Sequence, residues 1–172
     1  VLTRLPVGHI SQPVPELAAI RWAFPLAGLF VGVITASFYV GLHMMGMPGM
    51  LSAILALCAG LLTTGGLHED GLADCADGFG GGHTAEHKLE IMKDSRLGSY
   101  GALTLILIMA ARVSALSDLS ATMQTFCLVV SFAMISRLVM VIYLNRLPSA
   151  RPDGLGNEAS GWRPQDGLSA II

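Results

Sequence analysis

The sequence predicts an all-α integral-membrane protein, a polytopic helical bundle with about four transmembrane helices and short cytoplasmic helices that carry an acidic motif. Hydrophobic residues make up 53% of the 172 residues and charged residues only 13%, whereas an ordinary soluble domain has about 25% charged residues. From Ala23 to Leu67 there is no Asp, Glu, Lys or Arg, and further apolar segments follow at 101–119 and 122–144. The length suits a single membrane domain over residues 1–172.

The boundaries of the spans follow from helix length and from the turns. About 20 apolar residues form about 30 Å of helix, the thickness of the hydrocarbon core of a bilayer. A turn-like cluster containing Gly46 and Pro48 divides the first uncharged stretch. The predicted spans are 23–42, 49–67, 101–119 and 122–144. Residues 1–21, which contain three prolines, are predicted to form an irregular or interfacial lead-in.

An even number of spans puts both termini and the central stretch 68–100 on one side of the membrane. The turns near 43–48 and 118–121 contain no Lys or Arg, whereas these basic residues fall on the other side: Arg4, Arg21, Lys88, Lys93, Arg96, Arg146, Arg151 and Arg163. The positive-inside rule therefore predicts that 68–100 is cytoplasmic.

Two arginines, Arg112 and Arg137, lie inside predicted spans. A central Arg costs roughly 2.5–3.5 kcal/mol on the insertion scale, so both are expected to face the bundle interior or a wet cavity. The sequence identifies no certain partner for Arg112.

The central stretch concentrates the acidic residues of the chain. Asp70, Asp74 and Asp77 recur at offsets of four and seven, which places all three carboxylates within an arc of about 60° on a helix. A solvated acidic face is the alternative, but such a face usually intersperses Lys or Arg, and none occurs between Glu69 and Asp77. The pattern favours a bound divalent cation.

Carboxylate oxygens suit hard ions such as Mg²⁺ or Mn²⁺, which keep positions for water and substrate phosphates. The predicted ligands are Asp70, Asp74 and Asp77, with Asp94 as a further ligand and Glu69 as a weaker candidate. Asp94 is alternatively able to accept a proton from a hydroxyl.

Phosphate-binding groups follow the acidic helix. The glycine run that contains Gly80 and Gly81 is predicted to end the helix and expose backbone amides, although a flexible turn is an equal alternative. Lys93 and Arg96 are predicted to bind phosphate oxygens.

Other classes of site fit less well. A net charge of -2 and the lack of a basic stripe give no indication of a nucleic-acid partner, and none is expected. Three scattered cysteines without a CxxC motif indicate reduced thiols. Residues 83–87 match the short zinc pattern HxxEH, but surface histidines on a solvated helix are the better interpretation.

The motifs HEDGLADCADGFGGG and IMKDSRLGSYG resemble those of the adenosylcobinamide-GDP ribazoletransferase (cobalamin synthase) family, with secondary matches at LTRLPV, FPLAGLFVG, SRLVMV and ARPDGLG. The resemblance covers essentially the whole chain. It implies a multi-pass enzyme of the bacterial or archaeal plasma membrane that joins adenosylcobinamide-GDP to α-ribazole or its 5′-phosphate and releases GMP, the last step of nucleotide-loop assembly. Mg²⁺ would be the cofactor and the active site would face the cytoplasm.

The resemblance also gives the residues roles. The aspartates would hold the metal, and Asp74 and Asp94 would be the catalytic pair, with Asp94 as a further ligand or the group that orients the attacking ribose hydroxyl. Lys93 and Arg96 would hold the diphosphate, and Arg151 would reach it from the tail. The other expected substrate-binding residues are Ser95, His68, Gly80 and Gly81.

Two alternatives remain open at this point. A CDP-alcohol phosphatidyltransferase shares the aspartate-rich membrane helix, although its DGxxAR signature is missing here. A divalent-cation transporter would place the aspartates near the bilayer midplane, flanked by broken helices. Members of the resembled family continue past ARPDGLG into further hydrophobic segments, so we expect a C-terminally truncated chain. The sequence is compatible with a homo-oligomer but does not reveal the oligomeric state.

Overall fold

The computed structural model of the chain describes residues 17–151 and 155–159. Every regular element within these ranges is helical, which confirms the all-α prediction. A 3₁₀ turn, Arg21–Ala23, joins the first two α-helices. In chain order the helices are α1 (Leu17–Ile20), α2 (Phe24–Met44), α3 (Gly49–Thr64), α4 (Leu67–Gly81), α5 (Ala85–Ile91), α6 (Ser99–Ser117), α7 (Met123–Arg146) and α8 (Leu155–Ala159).

The membrane character of the chain is confirmed by three long apolar helical segments in the described residues: Arg21–Met44, Ser99–Ser117 and Met123–Arg146. A fourth crossing is reached only if α3 and α4, which are bent by 90°, count together as one broken span. The first, third and fourth predicted spans therefore match α2, α6 and α7 closely. The helix of the second predicted span, α3, ends at Thr64 rather than at residue 67. Most of the predicted lead-in 1–21 and the end of the tail lie outside the described residues.

Two consecutive glycines cause the bend between α3 and α4. Gly65 has φ 70° and Gly66 has φ 72°, and both are therefore left-handed. Residues with a Cβ adopt this conformation only at a cost of roughly 1–2 kcal/mol each. The Gly-Gly pair therefore ends α3 with a left-handed C-cap and starts α4 in a new direction.

The core lies where α2, α3 and α6 meet. Tyr39, Ala53, Ala56, Leu57 and Leu116 form a buried cluster. The Tyr39 hydroxyl donates a hydrogen bond of 2.6 Å to the carbonyl of Leu119 beyond the end of α6. A buried phenol needs such a partner, and this bond fixes the end of α6 against α2.

Small residues allow α2 and α7 to approach closely. A Cβ on Gly28 would lie 2.5 Å from the carbonyl oxygen of Ala133, and one on Gly32 would lie 2.9 Å from the Cα of Val130. Gly28 and Gly32 are four residues apart, the small-xxx-small spacing that lets helix backbones pack in membranes. The close contact between α2 and α7 therefore requires residues without a side chain at these two positions.

The acidic helix α4 runs antiparallel to α6. Asp77 contacts the backbone of Gly98 and Gly101 at the start of α6, whereas Glu69 contacts Arg112, about 16 Å further along the same helix. The segment that begins at His68 therefore packs its first helix against a candidate span, rather than leaving the bundle as a separate loop.

Candidate active site

Asp77 attaches the acidic helix to the start of α6. Its side chain is buried, with the residue only 8% exposed. Oδ2 accepts a hydrogen bond of 2.8 Å from the amide of Gly98, and Oδ1 accepts one of 2.9 Å from the amide of Gly101. The first amides of a helix have no intrahelical partner, and a carboxylate there also interacts favourably with the helix dipole. Asp77 therefore caps α6.

The three aspartates of α4 do not share one environment. Asp70 is exposed, Asp74 is half-buried and Asp77 is buried. Within residues 17–151 and 155–159, no group of three His, Cys, Asp or Glu side chains is arranged to hold one metal ion. Asp77 is directed into the α4–α6 contact. The expectation that all three carboxylates bind one metal ion stays a prediction.

Asp70 and Asp74 remain as an acidic pair one helical turn apart. The Asp74 carboxylate interacts electrostatically with Asp70 and Asp77, which have its own sign, and with the tail residue Arg151. Mg²⁺ in phosphate-handling sites usually takes one or two carboxylates, the other positions being filled by water and substrate phosphates. The donor set of Asp70 and Asp74 fits such an ion, whereas it does not form an all-protein cage.

Arg151 is brought to this pair from a distant part of the sequence. The hydroxyl of Ser149 donates a hydrogen bond of 2.7 Å to the carbonyl of Arg151, and this short contact shapes the turn that follows α7. The tail cation and the carboxylate of Asp74 thus lie within electrostatic range of one another. The expected role of Arg151 in binding the diphosphate stays a prediction.

Asp94 lies between α5 and α6 and pairs with Arg96. Its carboxylate accepts hydrogen bonds from the Arg96 amide at 3.1 Å and from the Arg96 Nε at 2.9 Å, and the two side chains form an ion pair. The hydrogen bonds from Arg96 lower the pKa of Asp94 below its usual value, and the same contact raises the pKa of Arg96. Asp94 therefore stays ionised at neutral pH. The stabilisation that this pair gives the loop is lost as the pH falls through the lowered pKa.

The remaining phosphate-binding candidates of this loop, Lys93 and Ser95, are exposed on the same segment. The segment is held in place at its end because Asp77 binds the amide of Gly98. The acidic helix and the basic loop are thus joined through one buried carboxylate.

The glycine run has a packing role in the structure. Helix α4 continues through Gly80 and ends at Gly81, with Gly82 as its C-cap. A Cβ on Gly80 would collide with the ring of Tyr100, and one on Gly81 would lie 3.3 Å from the Cδ1 of Ile91. The run ends the helix as predicted, but Gly80 and Gly81 belong to the helix and do not form an open amide cradle.

His68 and Glu69 lie on a different flank of α4 from the Asp70–Asp74 pair. The Oε1 of Glu69 accepts a hydrogen bond of 2.8 Å from Arg112, and the two form an ion pair. This pairing gives Arg112 the partner that the sequence did not identify. It also directs Glu69 away from the position predicted for it as a weak metal ligand.

Comparison with known proteins places the chain in a family. The family model described as cobalamin-5-phosphate synthase matches residues 1–172. The chain belongs to the cobalamin-5-phosphate synthase family. No solved structure matches the chain.

Curated relatives of this family carry the name adenosylcobinamide-GDP ribazoletransferase. That of Azorhizobium caulinodans is 44% identical over 160 residues, covering 92% of this chain and 59% of the relative. That of Mesorhizobium japonicum is 44% identical over 171 residues, covering 99% and 66%. That of Sinorhizobium medicae is 47% identical over 164 residues, covering 92% and 62%. The chain thus spans about three fifths to two thirds of the length of these relatives.

Some residues that shape this candidate site could not be identified from the sequence. Gly98 and Gly101 supply the amides that hold Asp77, and a Cβ on Gly101 would lie 3.0 Å from the carbonyl of Ala73. The sequence signal that could have identified them was the pair of glycines on either side of Ser99-Tyr100, shortly after Lys93–Arg96. For the Glu69–Arg112 pair, two features of the sequence could have indicated the contact. Arg112 lies in a predicted span without a partner, and Glu69 lies outside the helix face that carries the aspartates.

Proposed function

We propose that this protein is an adenosylcobinamide-GDP ribazoletransferase, a membrane phosphotransferase that joins adenosylcobinamide phosphate to α-ribazole or its 5′-phosphate and releases GMP. The observation that carries the proposal is the acidic pair Asp70–Asp74 on α4, with Arg151 within electrostatic range of Asp74 and with Asp77 binding the amide of Gly98 just after the Lys93–Arg96 loop. Membership of the family and the names of the curated relatives support it.

The charges suit a nucleotide diphosphate. Phosphoryl transfer requires little covalent participation by the protein, because positioning and neutralisation of phosphate charge provide most of the catalysis. Arg151, Lys93 and Arg96 would bind the diphosphate oxygens, with guanidinium groups suited to bidentate contacts. Asp70 and Asp74 would hold Mg²⁺, or Mn²⁺, which when bound neutralises charge on the phosphoryl oxygens.

Asp94 is the group proposed to orient the attacking hydroxyl. Like an ordinary Asp, it is a carboxylate at neutral pH, and it would accept a hydrogen bond from the ribose hydroxyl. In the proposed reaction that hydroxyl oxygen forms a bond to the phosphorus on the cobinamide side. The bond from this phosphorus to the GMP oxygen breaks, GMP leaves, and the hydroxyl proton is released.

The membrane setting is part of the proposal. The basic residues predicted to lie on one side support a site on the cytoplasmic face of the plasma membrane, where nucleotide substrates occur. The lipid bilayer would surround α2, α6 and α7, and a homo-oligomer is compatible with their exposed apolar faces.

A release assay tests the activity directly. Purified protein would be incubated with Mg²⁺, adenosylcobinamide-GDP and α-ribazole 5′-phosphate or α-ribazole, and GMP would be measured by chromatography. We expect GMP release that depends on Mg²⁺, and we expect Asp74→Asn to lower the rate at least about 100-fold, since the ion would lose one of two protein ligands.

The matched control is Asp118→Asn at the opposite end of α6, which is exposed and far along the chain from the acidic helix. It should retain normal release. Near-normal release by Asp74→Asn would remove this residue from the site. Turnover of a CDP-alcohol in a parallel assay, without turnover of adenosylcobinamide-GDP, would replace the proposed substrate class.

A further inference from the structure

Four ionisable side chains meet between α4, α6 and α7. Arg112 donates to Glu69 at 2.8 Å, and both arginines and the carboxylate of Glu69 interact electrostatically with His68. Arg137 also interacts with Glu69 and Arg112. In this cluster of described residues, one carboxylate balances two guanidinium groups, so one positive charge is in excess among apolar helices.

Two clefts meet at this charged cluster. One has a volume of about 470 Å³ and lies between α2, α3, α6 and α7; the other has a volume of about 370 Å³ and lies between α4, α6 and α7. Glu69, Arg112 and Arg137 line both. The other lining residues are mostly apolar, among them Phe132 in the first cleft and Ile108 in the second. The clefts are therefore two apolar spaces with a shared cationic wall.

Polar atoms of the cluster lack partners within the described chain. The Nε2 of His68 and the Oε2 of Glu69 are buried and make no hydrogen bond there. Arg137 donates to the hydroxyl of Ser136 at 2.8 Å, which satisfies one of the five N–H donors of a guanidinium. Buried polar groups are normally satisfied. The Oε2 of Glu69 is an acceptor and does not bind an anion, so the capacity to bind one comes from the remaining N–H donors of Arg112 and Arg137.

The cluster is separate from the proposed catalytic pair. On helix α4, His68 and Asp74 are about 120° apart, and Leu72 and Asp70 about 160° apart, by helical geometry. His68 and Leu72 line the smaller cleft, whereas Asp74 is near Arg151. The two flanks of α4 therefore carry opposite electrostatic environments.

We propose that the cluster of His68, Glu69, Arg112 and Arg137 binds the phosphate of an anionic phospholipid, whose acyl chains occupy the two clefts. One excess positive charge matches the single negative charge of a phosphodiester. Two apolar spaces on either side of the charge match a head group with two chains. Basic pockets between transmembrane helices on the cytoplasmic side bind anionic lipid head groups by this chemistry. Here Arg112 lies about 16 Å along α6 from Gly101, so the head group would enter the bundle from the cytoplasmic side. The proposal does not depend on the proposed enzymatic function.

Native mass spectrometry of the purified, delipidated protein tests this site. The probes are dioctanoyl phosphatidylglycerol, which is anionic, and dioctanoyl phosphatidylcholine, which has the same chains and no net charge. We expect the anionic lipid to bind at least about tenfold more tightly. Equal affinities would overturn the proposal without any variant.

Arg137→Gln is the decisive variant, because it keeps the Glu69–Arg112 pair and removes the excess charge. It should lower the affinity for phosphatidylglycerol to that for phosphatidylcholine. Arg146→Gln is the matched control, since it removes an exposed Arg from the end of the same helix, outside both clefts. It should leave the preference unchanged.

The remaining outcomes also decide the question. Unchanged phosphatidylglycerol affinity in Arg137→Gln would overturn the site assignment. Displacement of the lipid by millimolar inorganic phosphate would show a phosphate site and contradict the lipid assignment. Should Arg137→Gln not fold, Arg137→Lys keeps the charge and must keep the preference; loss of preference there would overturn the charge argument. GMP release is measured separately, so its failure is distinguishable from failure of lipid binding.

Discussion

At the scale of single residues, Asp77 shows why a carboxylate in an acidic motif can serve the fold. It is buried and accepts two amide hydrogen bonds at the start of α6. Its neighbour on the motif, Asp70, is exposed and makes no comparable contact among the described residues. The two carboxylates share a helix face but differ in environment, because only the position of Asp77 meets the end of another helix.

This difference predicts unequal effects of the two substitutions on stability. Asp77→Asn removes the charge at the helix N-terminus and leaves one oxygen to replace two acceptors, so we expect it to lower the free energy of unfolding by about 1–2 kcal/mol. Asp70→Asn should change it by less than about 0.5 kcal/mol. Unfolding of both variants in detergent with EDTA measures the difference. Equal stabilities would contradict the capping role of Asp77.

At the scale of helices, the bend between α3 and α4 determines where the acidic helix goes. The pair Gly65-Gly66 turns the chain by 90°, so that α4 packs along α6 instead of continuing α3. Without that turn, Asp77 would not reach the amides of Gly98 and Gly101. The site therefore depends on backbone conformation at two residues that have no side chains.

The need for glycine at the bend can be tested by comparing two glycines that both have open space around the Cβ position. A Cβ at Gly66 or at Gly71 would have no atom within 4 Å, so neither substitution by Ala causes a clash. Gly66→Ala should destabilise by roughly 1–2 kcal/mol because φ is 72°. Gly71→Ala, inside α4, should stabilise by up to about 1 kcal/mol through helix propensity.

Thermal unfolding of these two variants in detergent gives the comparison. An increase in stability for Gly66→Ala would show that the left-handed backbone at this position is not required. Whether Gly66→Ala lowers or raises the stability, rather than by how much, therefore tests the requirement for a left-handed residue.

At the scale of the whole molecule, the bundle leaves much apolar surface on α2, α6 and α7, as expected for helices surrounded by lipid. Basic residues concentrate on one predicted side, and the turn between α6 and α7 has no Lys or Arg. The proposed orientation therefore puts the Lys93–Arg96 loop, and the end of α4 that carries Asp77, at the cytoplasmic side.

Thiol labelling in intact cells checks the orientation. Cys75 on α4 is exposed, and Cys58 and Cys127 would be replaced by Ala. We expect a membrane-impermeant maleimide to leave Cys75 unlabelled until the cells are opened. Ser120→Cys, in the turn between α6 and α7, is the reference and should react from outside. Labelling of Cys75 in intact cells would reverse the topology.

The sequence by itself determined the membrane class, the positions of three long apolar helices and the acidic and basic groups of the site. These features depend on composition and on periodicity along one helix, both of which are local properties. The tertiary structure alone decided the roles within the motif: Asp77 caps α6, Gly80 packs on Tyr100, and Glu69 pairs with Arg112. Such roles depend on which helix packs against α4. The bend between α3 and α4 determines that helix, and the periodicity of residues along the sequence does not give the angle of the bend.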